Sequence, residues 1–350
     1  MKRVFLFFVT ILVSCLFFSC RSIRVIDIET YNPAAVTFPP EIKTVMIINN
    51  SAQQPSGIGH RYVNNLNTDS LENISADSTA YKFCVSLGKA IVESPLFYDV
   101  RLCEDTLRRD SLFYDIRPFT SNAVKSLCAK YGVDALISLD KLFFSSTNFE
   151  NKDSRFVRGK AISAEVVGEL RVLWPGQKEV YTIPFIDSLE WHMGADYNEA
   201  ILDIIAMPDT KSSMMFLSVI VGQKMSVNFV PHWLDDKRWF YTNLSSEWKR
   251  GTVYAVAEKW EEAAEAWEPL FGKVKKWEHK AKLASNLALC NELAGNFEKA
   301  VEYAEISYGL FKEYAGNESD YLRIQNSYVG VLKKRLESDK TLSKQLREND

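Results

Sequence analysis

Glycine and proline are scarce, at 15 and 11 of 350 residues, and neither recurs at a fixed period. Collagen-like, linker-like and low-complexity readings are thereby excluded. Neither sign of charge prevails: 42 Lys and Arg face 45 Asp and Glu, for a formal net charge of −3 and a pI near 6.0. Nucleic-acid binding would need a strongly basic face, so no nucleic-acid partner is expected. Histidine is rarer still, and His60, His192, His232 and His279 stand far apart. No HExxH, GxSxG, P-loop or kinase motif set occurs, and no CxxC supports a redox motif or a zinc knuckle. No metal, no cofactor and no enzymatic activity are therefore expected, although active sites also assemble from distant residues. What is plentiful is core-forming material: 47% apolar and 13% aromatic residues, including 8 Trp. At about 150 residues per domain, that composition suits two packed domains.

The first twenty residues read as an address. Lys2 and Arg3 precede an apolar run, Val4 to Phe18, followed by Ser19, Cys20 and Arg21. The run is shorter than the ~20 residues that span a bilayer as a helix, and its basic start and small final residue fit a secretory leader. No second apolar run of comparable length follows. The stretch Leu16-Phe17-Phe18-Ser19-Cys20 resembles a bacterial lipobox, departing from it at Phe17, where Leu is commoner. The resemblance implies a signal peptide over residues 1–19 and lipidation at Cys20. Acyl chains contribute ~0.8 kcal/mol per buried CH₂, and two or more anchor stably. Such a chain is anchored to a membrane without spanning it. Arg21 is not the aspartate that retains lipoproteins at the inner membrane, which implies the outer membrane, on its periplasmic face or alternatively at the cell surface.

Residues 20–40, with Asn32-Pro33 and Pro39-Pro40, suit an extended tether. A mixed α/β domain is expected over 41–240. Lys43 to Asn49 reads as a buried strand, and the Asn-, Ser-, Gln- and Gly-rich stretch 50–74 as a long loop. Gly57-Ile58-Gly59 within it is no dinucleotide loop, because Tyr62 stands where a third glycine is required. A helix over Asp77–Glu93 is stopped by Ser94-Pro95, and a strand over 98–102, a helix over 121–131 and a strand over 135–144 follow. Ile162, Ala164, Val166, Leu170 and Val172 alternate with Ser163, Glu165, Glu169 and Arg171, the pattern of a strand with one wet face. Pro175-Gly176 turns it into a hairpin with Val180–Leu189. Helices are expected over Tyr197–Met207 and Lys211–Met225. Ser94-Pro95-Leu96-Phe97-Tyr98-Asp99-Val100 and Ala129-Lys130-Tyr131-Gly132-Val133-Asp134-Ala135-Leu136-Ile137 resemble phrases of an envelope domain. That domain is found in periplasmic translocation proteins and pore-forming lipoproteins, and the resemblance implies a binding and assembly module. Beyond Cys20, the thiols Cys84, Cys103, Cys128 and Cys290 read either as buried small hydrophobes or as carrying a single bridge.

The polar-aromatic cluster His232-Trp233 to Tyr241, with Arg238, is read as the packed joint before a helical region. There, Trp260, Ala263, Ala264, Trp267 and Phe271 recur as Phe297, Ala300, Val301, Ala304 and Tyr308, a fixed 37 residues on. Ala284, Leu287, Ala288, Asn291 and Ala294 form a preceding amphipathic helix, closed by Gly295-Asn296. The stretch Asn286-Leu287-Ala288…Gly295-Asn296-Phe297-Glu298-Lys299-Ala300…Ala304 resembles the tetratricopeptide repeat. The expected fold class is therefore α+β, a sandwich-like α/β domain with an antiparallel hairpin, followed over 241–348 by all-α tetratricopeptide-like repeats with a C-terminal cap. Lipidated tetratricopeptide proteins of Gram-negative bacteria show the same layout. The resemblance implies a groove for a protein partner of the cell envelope, lined by the first helix of each pair. Carried over by register, Trp248, Lys249, Lys282, Asn286 and Glu292 would line it. The reading from a different class is an envelope hydrolase or glycan binder using Glu165, Glu169 or the His232–Trp233 pair.

Overall fold

The first strand of the chain, β1 (Ile23–Asn32), pairs with the last, β9 (His232–Tyr241), across two hundred intervening residues. Residues 23–32 are thus a paired strand and not a free tether. Ile26, Ile28 and Thr30 alternate inward, and Ile23 and Ile26 pack on the helical core. The computed structural model describes residues 23–350 except 65–68, 106, 109–111, 152–158, 193–206, 243–244, 317 and 348–350. Cys20, the leader and all but Met207 of the helix expected over 197–207 lie outside the described residues, and Met207 itself is not helical. The fold is α+β, with a β-rich N-terminal region and five C-terminal helices. Two units divide it: residues 34–232 with 345–350, and residues 1–33 with 233–344.

The β-rich unit is organised around β2 (Thr44–Asn49), where Val45 to Ile48 are all buried. An apolar run of this length with no alternation needs cover on both faces. Val45 and Ile47 face α1 (Thr79–Val92) and α3 (Thr210–Met225), whereas Met46 and Ile48 face α2 (Ser121–Tyr131). β2 lies parallel between β5 (Asp99–Leu102) and β6 (Ala135–Asn151). β6 is long enough to serve two neighbours on one edge: its first half pairs with β2, its second with β3 (His60–Asn64). Its other edge carries β7 (Gly159–Leu173) and then β8 (Tyr181–His192), both antiparallel, as the expected hairpin.

The stretch expected as a loop over 50–74 holds both β3 and β4 (Asp69–Leu71). These short polar strands carry little apolar pattern of their own and exist by pairing at the sheet edge. Gly59 makes that pairing possible. Its φ is +93°, and a Cβ there would stand 2.4 Å from the carbonyl oxygen of Phe144.

The helical unit consists of α4 (Ser246–Val256), α5 (Trp260–Lys273), α6 (Trp277–Leu293), α7 (Phe297–Tyr314) and α8 (Asp320–Arg347). α5 and α7 start at the corresponding residues Trp260 and Phe297 of the internal repeat. Ala263 and Trp267 in one, and Ala300 and Ala304 in the other, are fully buried. The alanines at 263, 300 and 304 let the neighbouring helix approach, whereas Trp267 fills space beside Gly251. Gly295, at φ +76°, closes α6 as the left-handed residue expected there.

Candidate functional site

The inner face of the helical unit is filled by the chain's own strand. β9 crosses α4, α6 and α8, and its Tyr241 is held by its backbone: Asn286 accepts from Tyr241 N at 2.7 Å and donates to Tyr241 O at 2.8 Å. Trp248 Nε1 donates to the same carbonyl at 3.1 Å, and Trp267 Nε1 donates to Trp248 O at 3.2 Å. Gln325 of α8 donates to Tyr241 Oη and to Ser285 Oγ. A bidentate amide on a strand backbone satisfies groups that would otherwise be buried without partners.

Three residues further back along β9, Arg238 meets Glu292. Nε and Nη2 of Arg238 donate to the carboxylate at 2.9–3.0 Å, and Arg335 Nη1 and Tyr328 Oη donate at 2.9 and 2.8 Å. The side chains of Arg238 and Glu292 are 4% and 0% exposed. Burial and the adjoining carboxylate push the Tyr328 hydroxyl well above the ordinary phenol range. Trp248, Asn286 and Glu292, expected to face a partner, are therefore interior residues. The reason is physical: β9 supplies the partners that their register was expected to offer to another protein. Lys249 is exposed in the first turn of α4. Lys282 is mostly covered, bridged to Glu278 at 2.8 Å, with its ammonium over the rings of Tyr241 and Tyr321.

The β-rich unit carries a cleft of about 370 Å³ between β3, the ends of β6 and β7, and the start of α3. Its polar lining comes from Tyr62, Glu72, Asn148, Glu150, Lys160 and Asp209, over an apolar floor that includes Ile162 and Met207. Asn148 is the hub. Its Nδ2 donates to Glu72 at 2.6 Å and to Thr210 Oγ1 at 2.7 Å, while its buried Oδ1 has no partner among the described residues. Glu150 accepts from the Tyr62 hydroxyl and pairs with Lys160 at 3.4 Å. Asp209 caps α3 through Ser212 N at 2.7 Å, and that backbone bond holds its carboxyl below the usual range. The cleft is thus rich in acceptors and suited to a ligand that brings donors. Sequence reasoning missed it, because its polar residues stand singly in β3, β6, β7 and the start of α3.

Glu169 and Arg171 pair at 2.7 Å on the wet face of β7, and Ser145 donates to Glu165 at 3.4 Å. His232 is half-buried and Trp233 is 64% exposed, its ring tilted against that of Tyr31 at 4.8 Å. Trp239, Phe240 and Tyr241, by contrast, enter the helical core. Asp134 is turn chemistry, accepting from Lys43 N, Thr44 N and Thr44 Oγ1 at 2.7–3.0 Å. All four thiols are buried and free. Burial pushes Cys84 and Cys290 up to about 12 and Cys128 to about 11. Asp140, at the bulge of β6, was not singled out by its sequence context. It is enclosed with Asn50 at 3.0 Å and Ser138 at 2.5 Å, and burial raises its pKa.

The model of a domain of unknown function, DUF8603, matches residues 42–241, and that of a second, DUF6340, matches residues 249–334. No curated protein matches the sequence. Among solved structures, one titled as the crystal structure of an uncharacterized protein is 12% identical at a TM-score of 0.23, covering 56% of this chain and 99% of its own. A hypothetical protein from Chlamydia trachomatis is 13% identical at a TM-score of 0.22, covering 53% of this chain and 98% of its own. The first family model spans more than half of the sequence and ends at Tyr241, the last residue of β9; this chain belongs to the family described as domain of unknown function DUF8603.

Proposed function

We propose that this protein is a non-enzymatic, lipid-anchored binding and assembly module of the outer membrane, held on the periplasmic face through Cys20. In this reading the helices are tetratricopeptide-type repeats, and their groove, occupied by β9, is a structural arm. Contact with a protein partner passes to the cleft of the β-rich unit. The observation that carries the reading is the buried Asn148 Oδ1, an acceptor with no donor among the described residues, beside Glu72, Glu150 and Asp209. An unmet acceptor of this kind costs about 1–3 kcal/mol, which a bound donor recovers. A Lys or Arg side chain of the partner fits such a lining. A non-enzymatic role is supported by the carboxylates' being committed: Glu72 to Asn148, Glu150 to Tyr62 and Lys160, Asp209 to the cap of α3.

Two experiments test the proposal. Fatty-acid labelling of the wild type and of Cys20→Ala examines the anchor; label that persists in the variant places the anchor elsewhere. Capture of cross-linked partners from whole envelopes examines the cleft. Asn148→Leu and Glu72→Gln should each deplete the same partner bands, and undiminished capture by both variants refutes the cleft as the contact.

A further inference from the structure

The turn between α5 and α6 is locally basic in a chain that is acidic overall. The turn between α5 and α6 and the first turns of α6 carry Lys273, Lys275, Lys276 and Lys280, with Glu278 the one acid among them and already bridged to Lys282. Lys273, Lys275 and Lys276 are exposed, and the Glu278 carboxyl is held below its usual range by its hydrogen bond to Lys282 and, after that, with help from the charge of Lys276. Trp277 stacks there on Tyr314 at 5.5 Å, and Tyr314 is 53% exposed. Lysines here surround a half-buried Trp and an exposed Tyr, whose hydroxyl bonds Glu313, and Trp and Tyr are the rings enriched at a membrane–water interface.

The position of this end relative to β1 follows from the contacts. Asp27 pairs with Lys237, Thr30 with Leu234 and Tyr31 with Trp233, so β1 and β9 run antiparallel and Ile23 falls beside Tyr241. Tyr241 contacts Asn286 and Arg238 contacts Glu292. β9 therefore runs against α6, and β1 runs along it. Going backwards from Ile23 leads toward the N-terminus of α6. Two residues separate Cys20 from Ile23, so their Cα atoms are three steps apart, a reach of at most about 11 Å. Asn286 stands about 15 Å along the helix from Lys276 at 1.5 Å per residue. His279, one turn into α6, packs on Trp248, whose indole is bonded to Tyr241.

We infer that this end of the helical unit, centred on Lys275, Lys276 and the Trp277–Tyr314 pair, is a docking surface for the anionic lipid headgroups of the membrane that holds the anchor. The inference rests on the proposed lipidation of Cys20, which fixes how near the bilayer must lie. The anchor and the basic surface then act together, the short connection holding this end of the helical unit at the bilayer surface. Each lysine near an anionic surface is worth about fivefold in binding.

The test uses residues 21–350, which retain every described element and lack the acylated cysteine, so its outcome does not depend on lipidation. Sedimentation is measured with phosphatidylcholine vesicles with and without phosphatidylglycerol. Binding is expected only with phosphatidylglycerol and should fall with added salt. Lys275→Gln with Lys276→Gln should weaken it by about 30-fold, whereas Lys334→Gln with Lys340→Gln, further along α8, should leave it unchanged. Three results overturn the surface: no binding to anionic vesicles, equal binding to neutral ones, or equal loss in both double variants. Failure of Cys20 labelling with intact vesicle binding overturns the anchor alone.

Discussion

Glu292→Leu discriminates most sharply between an interior carboxylate and a partner contact. In the wild type, one carboxylate with no exposure accepts from Arg238, Arg335 and Tyr328. Leucine fills a similar volume but leaves a guanidinium that is 4% exposed without its main counter-charge. Removing one partner of a buried pair costs about 3–5 kcal/mol, because the other charge stays buried. Arg238 keeps Asp236 at 2.6 Å, a half-exposed carboxylate that supplies partial compensation, so the low end, about 3 kcal/mol, is expected. At roughly 3 °C per kcal/mol this lowers the transition of the helical unit by about 10 °C. Far-UV ellipticity during thermal and urea unfolding reads it. Arg238→Met combined with Glu292→Leu should recover much of the loss, since replacing both members of a buried pair is often nearly neutral. A Glu292→Leu protein within about 0.5 kcal/mol of the wild type would behave as a surface substitution. It would return Glu292 to the solvent-facing position that its register suggested, and refute the packing of β9.

Two further outcomes follow from the geometry. Cys84, Cys128 and Cys290 have folded pKa values raised to about 11 or 12 by burial, so the folded state holds these protons more tightly than the unfolded one. Their contribution to stability is complete below the unfolded thiol range near 8.5 and is lost as pH rises through 11 to 12. A thiol reagent at pH 8 should label them only in denaturant, and prompt labelling of all three in the native protein would contradict their burial. Gly59→Ala places a methyl group 2.4 Å from a backbone oxygen at positive φ. It should destabilise the β-rich unit by about 1–3 kcal/mol, and an unchanged urea midpoint would mean that β3 does not pair with β6 at this register.

How far the sequence could be read depended on where each element draws its stability. The hairpin and the 37-residue repeat were legible because their apolar periodicity is a property of the segment itself. Ile162 to Val172 alternate, and Trp260 and Phe297 begin equivalent helices. β1, β3 and β4 were not legible, because a polar strand at a ribbon or sheet edge is defined by its neighbour. The same limit misplaced Asn286 and Glu292. Helical register assigns a residue to a face but does not say what covers that face, and here a strand from before the helices covers it. One signal was present: Glu292 is a single charge at the end of a long uncharged stretch of helix, Leu283 to Asn291, and a buried carboxylate there needs a partner. The cleft offered no such signal, since Tyr62, Asn148, Lys160 and Asp209 meet only after the sheet has formed.

The central claim, that a partner is met at the cleft of the β-rich unit and not on the inner face of the helices, is tested most directly by site-specific photo-cross-linking in whole cells. A photo-reactive residue replacing Lys160 at the cleft rim should give a discrete adduct that Asn148→Leu abolishes. The same residue at Lys249, on the exposed first turn of α4, should give none with that partner. An adduct from the Lys249 position alone, with none from the cleft, would contradict the account.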